Sequence, residues 1–187
     1  MSTMLIHGCQ GFAEKAANEG PFDDRINLSQ KNMAALIFGY TSIEAFINEI
    51  ITISEVSNNL AVPKDYLVFL VDLERKLSIK EKYNVLAGLL AANLWDSSTE
   101  PFQSFEIIQS IRNIVIHHKG NWHRKGEIPF KKLRPVFDRF KLNNTPERSW
   151  QSELFNCKEF GHWVYEKCSE LRKDIHKNLL EKIEIVH

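Results

Sequence analysis

The chain lacks most of what would mark it as extracellular, metal-bound or membrane-embedded. Only three cysteines occur in 187 residues, and Cys9, Cys157 and Cys168 are too widely spaced for the close pairs of a zinc knuckle or a redox motif. They read as reduced thiols, with no metal and no cofactor expected. Net charge is also missing, because 24 Lys and Arg balance 24 Asp and Glu. Attraction to a polyanion would have to come from a local patch. Met1 to Glu14 contains no basic stretch followed by an apolar one. No apolar run is expected to reach the roughly 20 residues that cross a bilayer, so the expectation is a cytoplasmic chain without membrane contact. Glycine-rich phosphate loops, internal repeats and strand-like alternation are absent as well.

What remains is apolar material at helical spacing. A 43% hydrophobic share with 11% aromatics is enough for the core of one domain. Residues 1 to 26 carry Gly8, Gly11, Gly20 and Pro21 and read as an N-terminal arm, with a short helical pattern around Phe12 to Ala17. The helical domain then spans 27–187. Asn27 and Gln30 have capping-box spacing, and Met33, Leu36, Ile37, Tyr40, Ile43, Ile47, Ile50 and Ile51 predict a long helix to about Val56. Pro63 starts a further pattern through Leu73, and Ser78 with Glu81 forms a second capping box ahead of Tyr83, Leu86, Leu90 and Leu94. One kinked helix or two short ones fit this stretch equally. Pro101 opens a helix ending near Gly120. After Ser149, Cys157, Phe160, Val164, Cys168, Leu171, Ile175 and Leu179 define a long final helix. The fold class is therefore all-α, an up-and-down bundle of four main helices.

The helix after Pro101 carries two faces. Ile107, Ile108, Ile111, Ile114 and Val115 fall on one stripe, while Phe105, Arg112 and Ile116 fall on the other side. Apolar residues on an outer face predict cover by a partner, here a second copy of the chain, or by the long basic loop at 120–148. Between Lys119 and Arg148, nine basic residues stand against three acids, with Trp122, Phe130, Phe137 and Phe140 interleaved. Arg124, Lys125, Lys131, Lys132 and Arg134 are candidates for tracking an RNA backbone while the aromatics stack bases. A solvated loop pinned to the bundle by its aromatics fits the same residues.

The run Ile111-Arg112-Asn113-Ile114-Val115-Ile116-His117 resembles the signature of the HEPN family (higher eukaryote and prokaryote nucleotide-binding): an arginine, a polar residue, and a histidine after a short spacer. The segment Ser42 to Glu49 and Lys82 with Leu86 are similar to further parts of such proteins, so that the likeness spans roughly residues 27 to 182. The resemblance implies a helical bundle, commonly a dimer with facing motifs, and frequently metal-independent RNA cleavage by toxins or defence effectors held by an antitoxin or regulatory protein. In some members it implies only nucleotide binding or protein interaction. On the catalytic reading, His117 exchanges a proton with the RNA 2′-hydroxyl, Arg112 stabilises the developing charge on phosphate, Asn113 orients the histidine or the phosphate, and Glu44 is an accessory. On the structural reading, Arg112 pairs with an acid and His117 caps the helix terminus.

Overall fold

The computed structural model describes residues 1–18, 25–56, 76–116, 128–129, 131–143 and 147–184. Every regular element among them is helical: α1 (Ser2–Ala17), α2 (Arg25–Val56), α3 (Ile79–Leu89), α4 (Phe102–Ile116), α5 (Arg134–Arg139), α6 (Trp150–Phe155), α7 (Lys158–Ile175) and α8 (Glu181–Glu184). A 3₁₀ turn at Lys131–Leu133 precedes α5, and a π turn at His176–Leu180 separates α7 from α8. The all-α class expected from periodicity holds.

The core is built around α2, with α1 and α7 packed on it and on each other. Contacts fix the directions. Ser2 meets Glu49 while Phe12 stacks on Phe38, so α1 runs antiparallel to α2. Asn32 bonds Gly161 and Phe46 lies under Arg172, so α2 and α7 run parallel. The three helices converge where side chains are smallest. A Cβ on Gly39 would lie 2.9 Å from Val164 Cγ1 and 3.2 Å from both the Cys9 and Cys168 sulfurs.

The reading of residues 1 to 26 as an arm is corrected by this packing. Ile6, Cys9, Ala13 and Ala16 enter the core from α1. Apart from Ile6 its buried face is made of small residues, and the helix contains two glycines, so the large-aliphatic pattern that marks the other helices is weak here. The final helix also differs. A separate short helix, α6, is capped by the Ser149 hydroxyl, which accepts from the Ser152 amide at 3.2 Å, and α7 begins only at Lys158.

The expectation that no stretch reaches bilayer length does not hold either. Leu28–Ile53 within α2 is long and apolar enough by length and composition, and half of its most apolar window is buried in the fold. A helix flanked by neighbours on several sides is apolar around much of its circumference, which gives the same composition.

The question left open at residues 64 to 95 falls partly on residues 57–75, which lie outside the described set, but Ser78 marks a fresh start within the stretch. Its extended backbone and side chain start α3 afresh: its hydroxyl accepts from the Glu81 amide, while the Glu81 carboxylate accepts from the Ser78 amide at 2.7 Å. The helix ends at Leu89, Ala91 turns into the left-handed region with φ 48°, and Trp95 rather than Leu94 enters the core. Leu94, expected on the apolar stripe, is 62% exposed.

One buried amide joins the halves of the chain. Asn32 Nδ2 donates to the carbonyls of Phe155 at 2.9 Å and Cys157 at 2.8 Å, while its Oδ1 accepts from the Gly161 amide at 3.0 Å. An alanine Cβ at Gly161 would sit 2.6 Å from that Oδ1. We expect Gly161→Ala to lower stability by about 1–3 kcal/mol through overpacking and loss of these bonds. Gly88→Ala at an exposed position of α3, where a Cβ meets nothing within 4 Å, should be neutral or stabilising. Urea unfolding of both variants checks this, and equal midpoints would contradict it.

Candidate functional site

Helix α4 presents Arg112 and Asn113 near the end of its described span. The aromatic residues beneath it determine where Arg112 lies. Trp95 packs edge-on against Tyr83 and against Phe105, and Phe105 stacks parallel to Tyr40 with ring centroids 5.7 Å apart and planes within 1°. The Arg112 guanidinium carbon lies 4.9 Å from the Tyr40 ring centroid, a cation–π distance. Its Nη1 donates to Asn113 Oδ1 at 3.1 Å. The row of aromatics from α3 through the 90–101 loop and α4 to α2 thus ends on the arginine.

Tyr40 is held above its ordinary phenol value, first by burial and next by the nearby Glu44 carboxylate, with a hydrogen bond from Gln109 and the charge of Arg112 acting in the opposite direction. Glu44 and Arg112 therefore both act electrically on one phenol. Tyr40 was legible only as a member of an apolar stripe, since 72 positions separate it from Arg112 and no local signal links the two.

Phe105 needs a correction. Expected on an outer stripe covered by a partner or by the long loop, it is fully buried between Tyr40 and Trp95 within one chain. Of the outer apolar pair only Ile116 stays exposed, at 46%. His117, Arg124 and Lys125 lie outside the described residues, as do His118 and His123.

Lys131, Lys132 and Arg134 are exposed on the 3₁₀ turn and the start of α5. Lys131 and Lys132 line a cleft of 390 Å³ against Gln103, Ser104 and Ile107 of the first half of α4, with Trp163 at its floor and Arg112 outside its walls. Lys132 is tied to Glu106 at 3.1 Å, Lys80 reaches the same carboxylate at 3.2 Å, and the Ser97 hydroxyl donates to it. Arg134 pairs with Asp138 at 3.1 Å. Of these basic residues, Lys132 ties the segment to α4 through Glu106, while the Arg134 pair is local to α5.

The thiols offer no nucleophile. Burial pushes Cys9 and Cys157 up to about 12 and Cys168 well above the usual value. Among the described residues, no three His, Cys, Asp or Glu side chains cluster as metal ligands would.

The class defined by this arrangement is an all-helical protein with an arginine-tipped aromatic column. Comparison with family models, with curated proteins and with solved structures finds no match.

The Glu106 carboxyl gives a stability prediction. Burial raises it, but hydrogen bonds from Ser97, Lys132 and Lys80 outweigh that and leave it below its usual 4.5. A carboxyl depressed in the folded state contributes stability above its unfolded value and loses it as pH falls through the folded one. Wild type should therefore exceed Glu106→Gln in thermal midpoint at pH 6 to 7, and the gap should close as pH drops below about 4.5. A gap independent of pH would show that the ion pairs are not its source.

Proposed function

We propose that the chain is a metal-independent endoribonuclease whose site is Arg112, Asn113 and His117. The observation that supports it most is the fixing of Arg112 against Tyr40 with a hydrogen bond to Asn113, five positions ahead of His117 in the sequence. A guanidinium held by its flat face is pre-organised to present its edge to a phosphate, so less side-chain entropy is lost on binding.

The chemistry needs no group beyond the RNA and these side chains. An imidazole takes the proton of the 2′-hydroxyl, the oxygen attacks the adjacent phosphate, and the guanidinium stabilises the extra negative charge as the 5′-oxygen leaves with a proton. A second copy of the chain docked over exposed Ile116 would supply a second histidine, so that one acts as base and the other as acid. Glu44, acting on the same phenol as Arg112, tunes the electrostatics under the site.

One observation favours a second reading, a non-catalytic interaction module. The contact with Tyr40 gives Arg112 a structural task whether or not RNA is cut.

The test is cleavage of a labelled RNA pool in EDTA by wild type, His117→Ala and Arg112→Ala, after matching the folded state and oligomer. Loss of at least about 100-fold in both variants, with 2′,3′-cyclic phosphate ends from wild type, is the expected result. Ends bearing a 3′-hydroxyl, or undiminished cleavage by His117→Ala, would overturn the mechanism. Inactivity of all three proteins would favour the module. Tyr40→Leu should lower cleavage less than Arg112→Ala, since it removes the support of the guanidinium and leaves its charge.

A further inference from the structure

A second pocket lies on a different face of α2 from the one that carries Arg112. Phe46 follows Tyr40 by six positions, a turn of about 240° around the helix, and carries the other stacked arginine: the Arg172 guanidinium carbon is 4.2 Å from the Phe46 ring centroid. The pocket encloses 520 Å³ at the seam of α1, α2 and α7, in the range of small-ligand sites.

Two contacts hold Arg172. Its face rests on Phe46, and its Nη2 donates to Thr3 Oγ1 at 2.9 Å. Glu49, the acid acting on it, is occupied elsewhere. That carboxylate accepts from the Ser2 amide at 2.9 Å and from the Ser2 hydroxyl, and lies 2.9 Å from the Met1 amine. Burial alone would raise Glu49, yet these partners hold it down at about 2. Another of its donors, Arg172 Nη1, is shielded from solvent and has no hydrogen-bond partner among the described residues. A buried donor without an acceptor costs free energy that a bound acceptor would return.

The surroundings select the acceptor. Tyr165, Ser169, Arg172 and Lys173 follow helical spacing along the α7 wall, His176 continues them just beyond it, and His7 lines the pocket from α1. The donors gathered here are a guanidinium, an ammonium, imidazoles and hydroxyls, and the single acid on the wall, Glu181, lies 3.6 Å from His176 Nδ1. His176 is also the first residue of the π turn, a backbone irregularity that recurs at functional sites.

We propose that this pocket binds a phosphate dianion, free or carried by a small organic phosphate, with Arg172 as the central ligand and Lys173, His7 and His176 around it. A planar fork with two parallel N–H groups matches phosphate oxygens. The aromatic floor under the arginine sets the orientation of that fork before the ligand arrives. The site is independent of RNA cleavage and shares no residue with Arg112, Asn113 or His117.

Titration of inorganic phosphate and of a nucleoside monophosphate into the full chain, at ionic strength matched with chloride, tests it by calorimetry and thermal midpoint. Wild type should bind saturably, with a midpoint that rises with ligand concentration. Arg172→Lys keeps the charge but loses the fork, and should bind at least about tenfold more weakly. If that variant fails to fold, Lys173→Ala with His176→Ala, both at exposed positions, should show the same loss. Lys131→Ala, in the other cleft, should bind as wild type does. Tighter binding of the nucleotide assigns an organic phosphate, and equal binding assigns the free ion. No saturable binding beyond chloride, or equal binding by wild type and a folded pocket variant, would overturn the proposal.

Discussion

The three hydrogen bonds of Asn32 hold the fold together across more than 120 positions of sequence. A fully buried amide is costly unless each of its groups finds a partner. Here both donors and the acceptor are used, and all three partners belong to the junction between α6 and α7. The amide thereby fixes the angle at which α7 enters the core and its register along α2. Gly161 and Gly39 then permit the backbones to approach. The Phe46 and Arg172 pair, and with it the second pocket, depends on that register.

The two stacked arginines show one device used twice. Arg112 rests on Tyr40 and Arg172 on Phe46, and both aromatics project from α2. A central helix buried along most of its length offers rigid rings at its margins, and a guanidinium is the cation best able to lie on them. The two settings differ in what they leave over. Arg112 finds Asn113 beside it on its own helix, whereas Arg172 keeps a sheltered donor without a partner.

Much of the fold was legible. The period of large aliphatic residues located α2, α4 and α7, and the Ser78 and Glu81 box located the start of α3, because both signals arise from contacts within one or two turns. The aliphatic period overlooked α1, whose buried face has one large aliphatic, Ile6, among Ser2, Cys9, Ala13 and Ala16, and it placed Leu94 where Trp95 belongs, because nothing local announces the left-handed turn at Ala91. The candidate site was legible only as a motif. Arg112 and Asn113 stood out by residue type and spacing, but Tyr40 and the pinning of Lys132 to Glu106 depend on residues distant in sequence.

The sequence by itself determined the all-helical class, the starts of α2, α3 and α4 and the placing of Arg112 and Asn113 on one helix, since 3.6-residue periodicity and capping chemistry are short-range properties of the chain. Only the tertiary structure decided that α1 belongs to the core, that Phe105 is buried beneath Tyr40 instead of facing a partner, that Lys131 and Lys132 line a cleft apart from Arg112, and that Arg172 keeps a sheltered donor beside His7 and His176. These outcomes depend on which side chains from distant segments reach the same space, and that is settled by packing and by the need of buried polar groups for partners.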